Sequence, residues 1–466
     1  MDIPFRNNYT LGKYSAVGRS PSIVLCHGCW DLLHLGHIRH LQEAKKFGDY
    51  LIVSVTADQW VNKGIGRPHF PAEQRAEMLR ALDCVDEVII NEDEGAWDLI
   101  HKLRPSFYVK GVDYVGNASP GLEKERAAIA EVNGKLKFTG SRKWSSSKLI
   151  NTARFTIETC QYLEELKTLD AKERIFEAFA KADYKNILFV GETIIDKYIY
   201  VRGIGRASKE LMLATVQTEE ESFMGGVWAA CKHGDWIDKH MLTAGRITKT
   251  RYVDADFNKK LFDVYSATDI DLDADKRHDF REKLVDAVGQ ADVVIVNDFG
   301  HGLMDDISQN MVKNAGFLAV NCQTNAGNYG FNLVTKYHGA KFVCVDDPEA
   351  RLAAGMQHGI IELVASELVT RMKCSKFLIT HGRFGSFHLD GDSNGIAPAF
   401  AQGGIDTMGA GDAVMAVTAP LVASGLPVNL AAFVGNIVGA IKISILGHRR
   451  HVGREEILRT VESLLA

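Results

Sequence analysis

The order of apolar and amphipathic segments predicts an α/β protein built on two successive doubly wound units, and three observations carry that expectation. First, a short β-branched run, Ser22-Ile23-Val24-Leu25, is followed by a helical pattern over residues 35–47 and a second apolar run over 50–55. Second, the alternation continues: a helical stretch at 73–81 precedes a strand at 87–90, and another at 97–103 precedes a strand at 107–110. Third, a charged helical stretch ends near residue 182, and a new apolar strand, 187–190, closes on Gly191 and opens another α/β unit. The expected organisation is a first domain over 21–152, a helical linker over 153–182 and a second domain over 183–466. Ligand sites are expected at the C-terminal ends of the parallel strands.

Composition narrows the function. The chain has 466 residues, 46% hydrophobic and 24% charged, which is ordinary globular usage and too long for one typical core. A formal charge of -5 leaves no basic surplus of the kind nucleic acid or an anionic membrane requires, so anionic ligands must be held by local features. No apolar run approaches the roughly 20 residues of a membrane span. Residues 1–20 are polar and lack a signal-peptide core, so a cytoplasmic location is expected. The eight cysteines are too sparse for a disulfide scaffold and fit reduced thiols. Cys26-His27-Gly28-Cys29 reads as a CxxC, but no second Cys/His pair follows at zinc spacing, and a strand end carrying other chemistry explains it better.

That chemistry lies in His27-Gly28-Cys29-Trp30-Asp31-Leu32-Leu33-His34-Leu35-Gly36-His37, at the junction of the first strand and first helix. Backbone N–H groups and the helix dipole at a helix N-terminus favour phosphate, and Gly36 allows close approach. Imidazoles from His34 and His37 are suited to donate to an α-phosphate as charge builds in a transition state. A substrate phosphate is its own nucleophile, so positioning and charge stabilisation suffice. One histidine in a loop is usually a surface residue; two around a glycine, directly after a strand, are harder to dismiss.

On these residues the segment 22–151 resembles the nucleotidyltransferase family with the HxGH signature, especially the transferase half of bifunctional heptose-phosphate enzymes. The likeness extends to Arg67-Pro68, Pro71-Ala72-Glu73-Gln74-Arg75, Val109-Lys110-Gly111-Val112-Asp113-Tyr114 and Trp144-Ser145-Ser146-Ser147-Lys148. It implies a Rossmann-like nucleotidyltransferase domain in which His34 and His37 stabilise the transition state and Lys46 neutralises phosphate. It further implies that Gly28, Asp31, Gly36, Arg75, Lys110, Asp113 and the serines 145, 146 and 147 (Ser145, Ser146, Ser147) bind the nucleotide, either ATP or CTP. Read from the residues alone, Lys46, Arg75 and Lys110 are also compatible with solvated surface charges, but the places of Arg75 beside Pro71 and of Lys110 before Gly111-Val112-Asp113 favour the site.

In the second half, Ile405-Asp406-Thr407-Met408-Gly409-Ala410-Gly411-Asp412 precedes an apolar helix pattern. Glycines at a helix start make an anion hole. Asp412 is placed there to accept a proton from a hydroxyl attacking the γ-phosphate of ATP. This turn resembles the ribokinase-like (PfkB) signature. Gly191-Glu192 with Asp196, Gly225-Gly226, Asn297-Asp298-Phe299-Gly300-His301-Gly302 and Thr380-His381-Gly382-Arg383-Phe384-Gly385 follow in that family's order. The resemblance implies that Asp196, Gly225, Gly226, Arg251 and Asp298 face the acceptor, with Arg251 on an acceptor phosphate. Thr380, Gly382, Gly385, Gly409, Ala410 and Gly411 would bind ATP, and Asp412 would be the base. Asp346 and Glu349 stand where the family has an Asn and a Glu associated with magnesium-bound phosphates. Thr248-Lys249-Thr250-Arg251 and Lys260-Leu261 look like the heptose-phosphate kinase branch.

Two stretches depart from that branch. Val227-Trp228-Ala229 replaces a segment that ends in an acceptor-binding Asn, and residues 203–210 lack the usual sequence. A changed acceptor or a weakened kinase site follows, and the amide-rich loop 323–330 is either acceptor-specific or an ordinary turn. The preferred expectation is a homo-oligomeric bifunctional enzyme using Mg2+, a sugar phosphate and nucleoside triphosphates, with the transferase ahead of the kinase, the reverse of the usual order. The alternative is an active transferase joined to a non-catalytic binding or oligomerisation module; the retained Asp412 argues against it. A dinucleotide-binding or redox protein is disfavoured because the first strand–helix junction has no GxGxxG.

Overall fold

The computed structural model describes residues 21–61, 68–114, 120–140, 155–206, 213–401 and 403–465. The chain forms two compact units that divide between Thr156 and Ile157.

The first unit runs β1 (Ile23–Gly28), α1 (Leu35–Lys45), β2 (Tyr50–Thr56), α2 (Ala72–Arg80), β3 (Glu87–Asn91), α3 (Trp97–Leu103), β4 (Phe107–Gly111), α4 (Pro120–Glu131) and β5 (Lys135–Thr139). All five strands are parallel in the order β3-β2-β1-β4-β5. Alternation along the strands feeds two cores. Val24 and Cys26 of β1 with Leu51, Val53 and Val55 of β2 pack under Leu41, Ala44, Ala76 and Leu79 of α1 and α2. Leu25, Tyr50 and Ile52 point the other way, onto Leu99, Ile100, Leu103, Ala128 and Ile129 of α3 and α4. The strand order reverses between β1 and β4, so the C-terminal ends of these two strands flank the crevice where such sheets hold ligands.

The second unit opens with α5 (Ile157–Thr168) and α6 (Ala171–Ala182). The sequence suggests a linker here, but α6 buries Ile175, Ala178, Phe179 and Ala182, and the Phe179 ring packs tilted against Trp236 of the same unit at 4.9 Å. Its apolar stripe needs a partner, which makes the helix part of that unit's core. Next come β6 (Ile187–Gly191), β7 (Thr193–Arg206), β8 (Leu213–Gly226), α7 (Val227–His233), β9 (Lys239–Leu242), β10 (Arg246–Asp254) and β11 (Lys259–Tyr265). The chain continues through α8 (Ala274–Gln290), β12 (Val293–Asp298), α9 (Asp306–Val312), β13 (Leu318–Cys322), β14 (Phe342–Asp346), α10 (Asp347–Ala354) and α11 (Ile361–Met372). It ends with β15 (Lys376–Thr380), β16 (Ser386–Asp390), β17 (Ser393–Ala397), α12 (Ala410–Ala423), α13 (Val428–Lys442) and α14 (Arg454–Leu464).

Eight strands form the main sheet in the order β17-β16-β15-β14-β13-β12-β6-β9, parallel except for the hairpins of β15, β16 and β17. Helices α12 and α13 are buried almost all round, which is why their sequences are apolar without a polar face. The long strands β7 and β8 leave the main layer and, with β10 and β11, make a separate four-stranded sheet. That sheet carries Asp196 and Arg251 to the same cavity as the start of α12.

Candidate functional site

In the first unit the loop after β1 is held open by backbone conformations that side chains rarely adopt: Trp30 and Leu32 have φ of 55° and 51°. Between them Asp31, 2% exposed, accepts the backbone N–H groups of His69 at 2.9 Å and Phe70 at 3.1 Å. Arg75 is fully buried and donates to the carbonyls of Phe70, Cys29 and Thr56 and to the Asp58 carboxylate. Both residues were expected on the nucleotide. Instead they tie the loop to β2 and to the start of α2, and four of the five guanidinium donors are spent doing so.

His34 is the N-cap of α1: its Nδ1 accepts from the N–H groups of Gly36 at 3.0 Å and His37 at 3.3 Å. The expectation of exposed backbone donors around Gly36 is therefore corrected, because the imidazole takes two of them. The same contact fixes the tautomer. With Nδ1 accepting, the proton of the neutral ring sits on Nε2, which becomes a donor. The rings of His34 and His37 stack at 3.8 Å, and Trp30 meets His37 edge-on at 5.3 Å and stacks on His40 at 5.7 Å. His40, which sequence reasoning passed over, contacts Thr139 Oγ1 through Nδ1 at 2.7 Å, and burial pushes it down to about 4, so its ring is neutral at physiological pH.

Gly28 ends β1 under the Trp30 ring. Lys110 ends β4 on the other side of the crevice, paired with Glu125 at 3.0 Å and only 6% exposed. Burial, followed by the nearby Lys110 charge, pushes His27 down to about 3. Burial also drives the Cys26 thiol far upward, which disfavours the thiolate a redox dithiol needs. Lys46 is not brought to the site. It is the exposed C-cap of the 11-residue α1, roughly 18 Å along the helix axis from His34. Ser145, Ser146 and Ser147 lie outside the described residues, as does the side chain of Asp113.

In the second unit one cavity of about 820 Å³ gathers most of the expected residues: Asp196, Gly226, Arg251, Asp346, Glu349, Thr380, Gly382, Gly385, Gly409, Ala410, Gly411 and Asp412. Gly409 adopts φ 67° as the N-cap of α12, and no side chain caps that helix. Asp412 sits in its first turn, buried, with Oδ1 accepting from Gln323 Nε2 at 2.8 Å. Burial pushes Asp412 up to about 6; the His448 and Lys442 charges oppose the rise, and Asp196 adds to it. Asp196 goes the other way. Burial would raise it, but His448 and Arg251 hold it below the usual carboxylate range. Gly225 makes room for it, since a Cβ there would lie 2.0 Å from Asp196 Oδ2.

Asp346 caps α10 and shares a capping box with Glu349, whose carboxylate also accepts from Thr324 N at 3.0 Å. Burial pushes both carboxyls upward, helped by the Asp347 charge for Asp346 and by the Asp346 charge for Glu349. A cation nearby would favour their ionised forms, so the pair fits magnesium arriving with nucleotide phosphates. Among the described residues no cluster of three His, Cys, Asp or Glu stands ready to bind a metal by itself.

Asp298 is a correction. It pairs with Lys336 at 2.6 Å, accepts from Tyr337 Oη at 2.5 Å and lines a smaller cavity of about 350 Å³ rather than the one that holds Asp412. The Val227-Trp228-Ala229 segment does not fill the acceptor space either. Val227 and Ala229 are buried, while Trp228 lies under Lys232 at 4.8 Å and is not among the residues lining the large cavity. The amide-rich loop divides its work: Gln323, Thr324 and Asn325 border the cavity, and Asn325 and Asn328 also bind the Phe299 carbonyl. The sequence marks Gln323 only as the first residue of the amide-rich loop, and His448 not at all. A lone Gln or His carries no local pattern that would mark it.

Residues 25–174 match the cytidylyltransferase-like family, and residues 332–450 match the pfkB family of carbohydrate kinases. The first unit is thus a Rossmann-like cytidylyltransferase-like domain and the second a ribokinase-like one. Bifunctional protein HldE of a Nitratiruptor species is 44% identical over 121 residues, 25% of this chain and 26% of that protein. Bifunctional protein HldE of Sulfurimonas denitrificans is 42% identical over 127 residues, 26% of each. The chain spans about a quarter of the length of the curated relatives it matches. Among solved structures, the tetrameric inhibited form of phosphofructokinase-2 from Escherichia coli aligns with 60% of this chain and 99% of its own, at 12% identity and a TM-score of 0.46. Arabidopsis thaliana ribokinase complexed with ribose and ATP aligns with 60% and 98%, at 13% identity and a TM-score of 0.45.

Proposed function

We propose that this chain is a bifunctional enzyme of sugar-nucleotide synthesis. Its second unit transfers the γ-phosphoryl group of ATP to the anomeric hydroxyl of a heptose or heptose phosphate, releasing ADP. Its first unit joins the nucleotidyl group of ATP or CTP to the resulting sugar 1-phosphate, releasing pyrophosphate. The transferase precedes the kinase, the reverse of the order usual in bifunctional heptose enzymes.

The observation that carries this reading is the pair of carboxylates in one cavity pushed in opposite directions, Asp412 up and Asp196 down. Such a pair separates a proton acceptor poised near neutrality from a constantly ionised ligand for hydroxyl groups. Asp412 takes the proton of the attacking hydroxyl, Asp196 orients the sugar, and the N–H groups of the Gly409–Gly411 turn meet the phosphate oxygens. Magnesium supplies charge neutralisation on the phosphates, and Asp346 and Glu349 are the residues that would hold it. In the first unit the Nε2–H of His34, with His37 stacked on it, donates to the α-phosphate, and the attacking sugar phosphate needs no base.

The test incubates the chain with magnesium, ATP or CTP and a series of heptose phosphates, following ADP and pyrophosphate separately. Absence of both products, together with no magnesium-dependent ATP binding by calorimetry, would overturn the reading. Exposed Ile204, Val216, Phe262 and Val264 on the four-stranded sheet support self-association, which sedimentation would reveal. No described helix is long and apolar enough to cross a membrane, and we place the enzyme in the cytoplasm; fractionation of cells is the check.

A further inference from the structure

His448 enters no motif, yet it stands where the acceptor carboxylate and the glycine turn of the kinase cavity meet. It follows α13 in a loop anchored by the Gly447 N–H, which donates to Asp406 Oδ2 at 3.0 Å. Its side chain is only 8% exposed, and its Nε2 lies 3.3 Å from Asp196 Oδ2. The ring packs on Gly409 so closely that a Cβ there would come within 2.8 Å of its Cε1. Arg251, 1% exposed at its side chain, takes the opposite oxygen, Asp196 Oδ1, through Nη1.

We infer that His448 is the positioning residue for Asp196, forming with Arg251 a clamp that fixes the plane of the carboxylate toward the acceptor. This rests on the kinase reading of the same cavity. An ionised carboxylate accepts about four hydrogen bonds, two on each oxygen. With one nitrogen donor on each oxygen, each keeps one direction open, and the two openings lie side by side on a plane fixed from both ends. Arg251 alone would leave the carboxylate to swing about its Cβ–Cγ bond. The Gly409 contact keeps the imidazole from retreating, so the turn that meets phosphate also sets the carboxylate that meets sugar. The departures at Val227-Trp228-Ala229 then need not weaken acceptor binding, since the clamp draws on β7, β10 and the loop after α13 instead.

Steady-state kinetics of the full chain with MgATP and a heptose phosphate test the clamp. His448→Ala should raise the acceptor KM by about tenfold or more, the usual loss for a contact to a charged group, with the MgATP KM within about twofold. His448→Gln, whose amide nitrogen reaches the same place, should restore most of the acceptor KM, and the shorter His448→Asn should not. Thermal melting and MgATP calorimetry establish that each variant is folded. An acceptor KM unchanged in His448→Ala, a fall in kcat alone, or a Gln variant no better than Ala overturns the inference. A second measurement needs no acceptor: the His448 Cε1–H resonance, assigned by its loss in His448→Ala, should titrate at a different pH in Asp196→Asn. Identical titration in both overturns the clamp. A wild-type chain that makes no ADP while its His448 resonance responds to Asp196→Asn overturns the kinase reading and leaves the clamp standing.

Discussion

Both units present the N-terminus of a helix at their candidate site, and the two termini are finished differently. In α1 the cap is a side chain, with His34 Nδ1 taking the N–H groups of Gly36 and His37. In α12 the cap is Gly409 in the left-handed region with no side-chain hydrogen bond capping it, and the first turn borders the cavity. The first terminus offers an imidazole donor and the second offers backbone donors. The carboxylates differ in the same sense. Asp31 is consumed by the backbone of residues 69 and 70, while Asp412 is buried at the cavity with its affinity for protons raised. A phosphate nucleophile arrives already ionised and needs no base; a sugar hydroxyl does. The two finishes follow that chemical distinction.

The largest effect should come from the base. Asp412→Asn fills nearly the same volume and leaves the glycine turn in place, so MgATP binding by calorimetry should change little. Phosphoryl transfer should fall by roughly two to four powers of ten. A variant that retains wild-type turnover would erase the contrast between the two sites. His34→Ala and His37→Ala should each lower pyrophosphate release by about two to three powers of ten while leaving ADP release intact, since each removes a donor near developing charge. Loss of both products together would point to unfolding.

The pH profile sharpens the comparison. With Asp412 at about 6, phosphoryl transfer should be level above that pH and fall about tenfold per unit below it, as the base is protonated. Nucleotidyl transfer should show no such limb from a carboxylate. A kinase limb near 4 would mean that burial does not tune Asp412.

Smaller effects separate cap from catalyst. His34→Ala should cost the first unit about 1 kcal/mol in denaturant unfolding through the lost cap. His34→Asn should recover most of that stability without recovering transfer, whereas His37→Ala should leave the cap alone. Lys46→Ala should be the mildest change. At the exposed far end of α1 it should alter stability by no more than about 0.5 kcal/mol, with pyrophosphate release unchanged.

How much of this was legible in one dimension depends on the range of the interaction. Periodicity placed four of the five strands of the first sheet, β1 to β4, and the helices between them, because alternation and the 3.6-residue repeat are local consequences of burial, while α4 and the more exposed edge strand β5 went unmarked. The same locality marked His34-Leu35-Gly36-His37 and Gly409-Ala410-Gly411-Asp412, where conformation and chemistry lie within a few neighbouring residues. Which polar groups are left to meet a ligand was decided only by the tertiary structure. Arg75 looks like a ligand for anions until its donors are counted against the carbonyls of Phe70, Cys29 and Thr56. Asp298 looks like a substrate contact until Lys336 and Tyr337 close on it. The charged helix α6 looks like a linker until Phe179 finds Trp236. Conversely, nothing near His448 in the sequence announces Asp196, which reaches it only because β7 and the loop after α13 fold to one cavity. A side chain's type is local, but its vacancy for function depends on partners brought from elsewhere in the chain, and burial makes those partnerships obligatory.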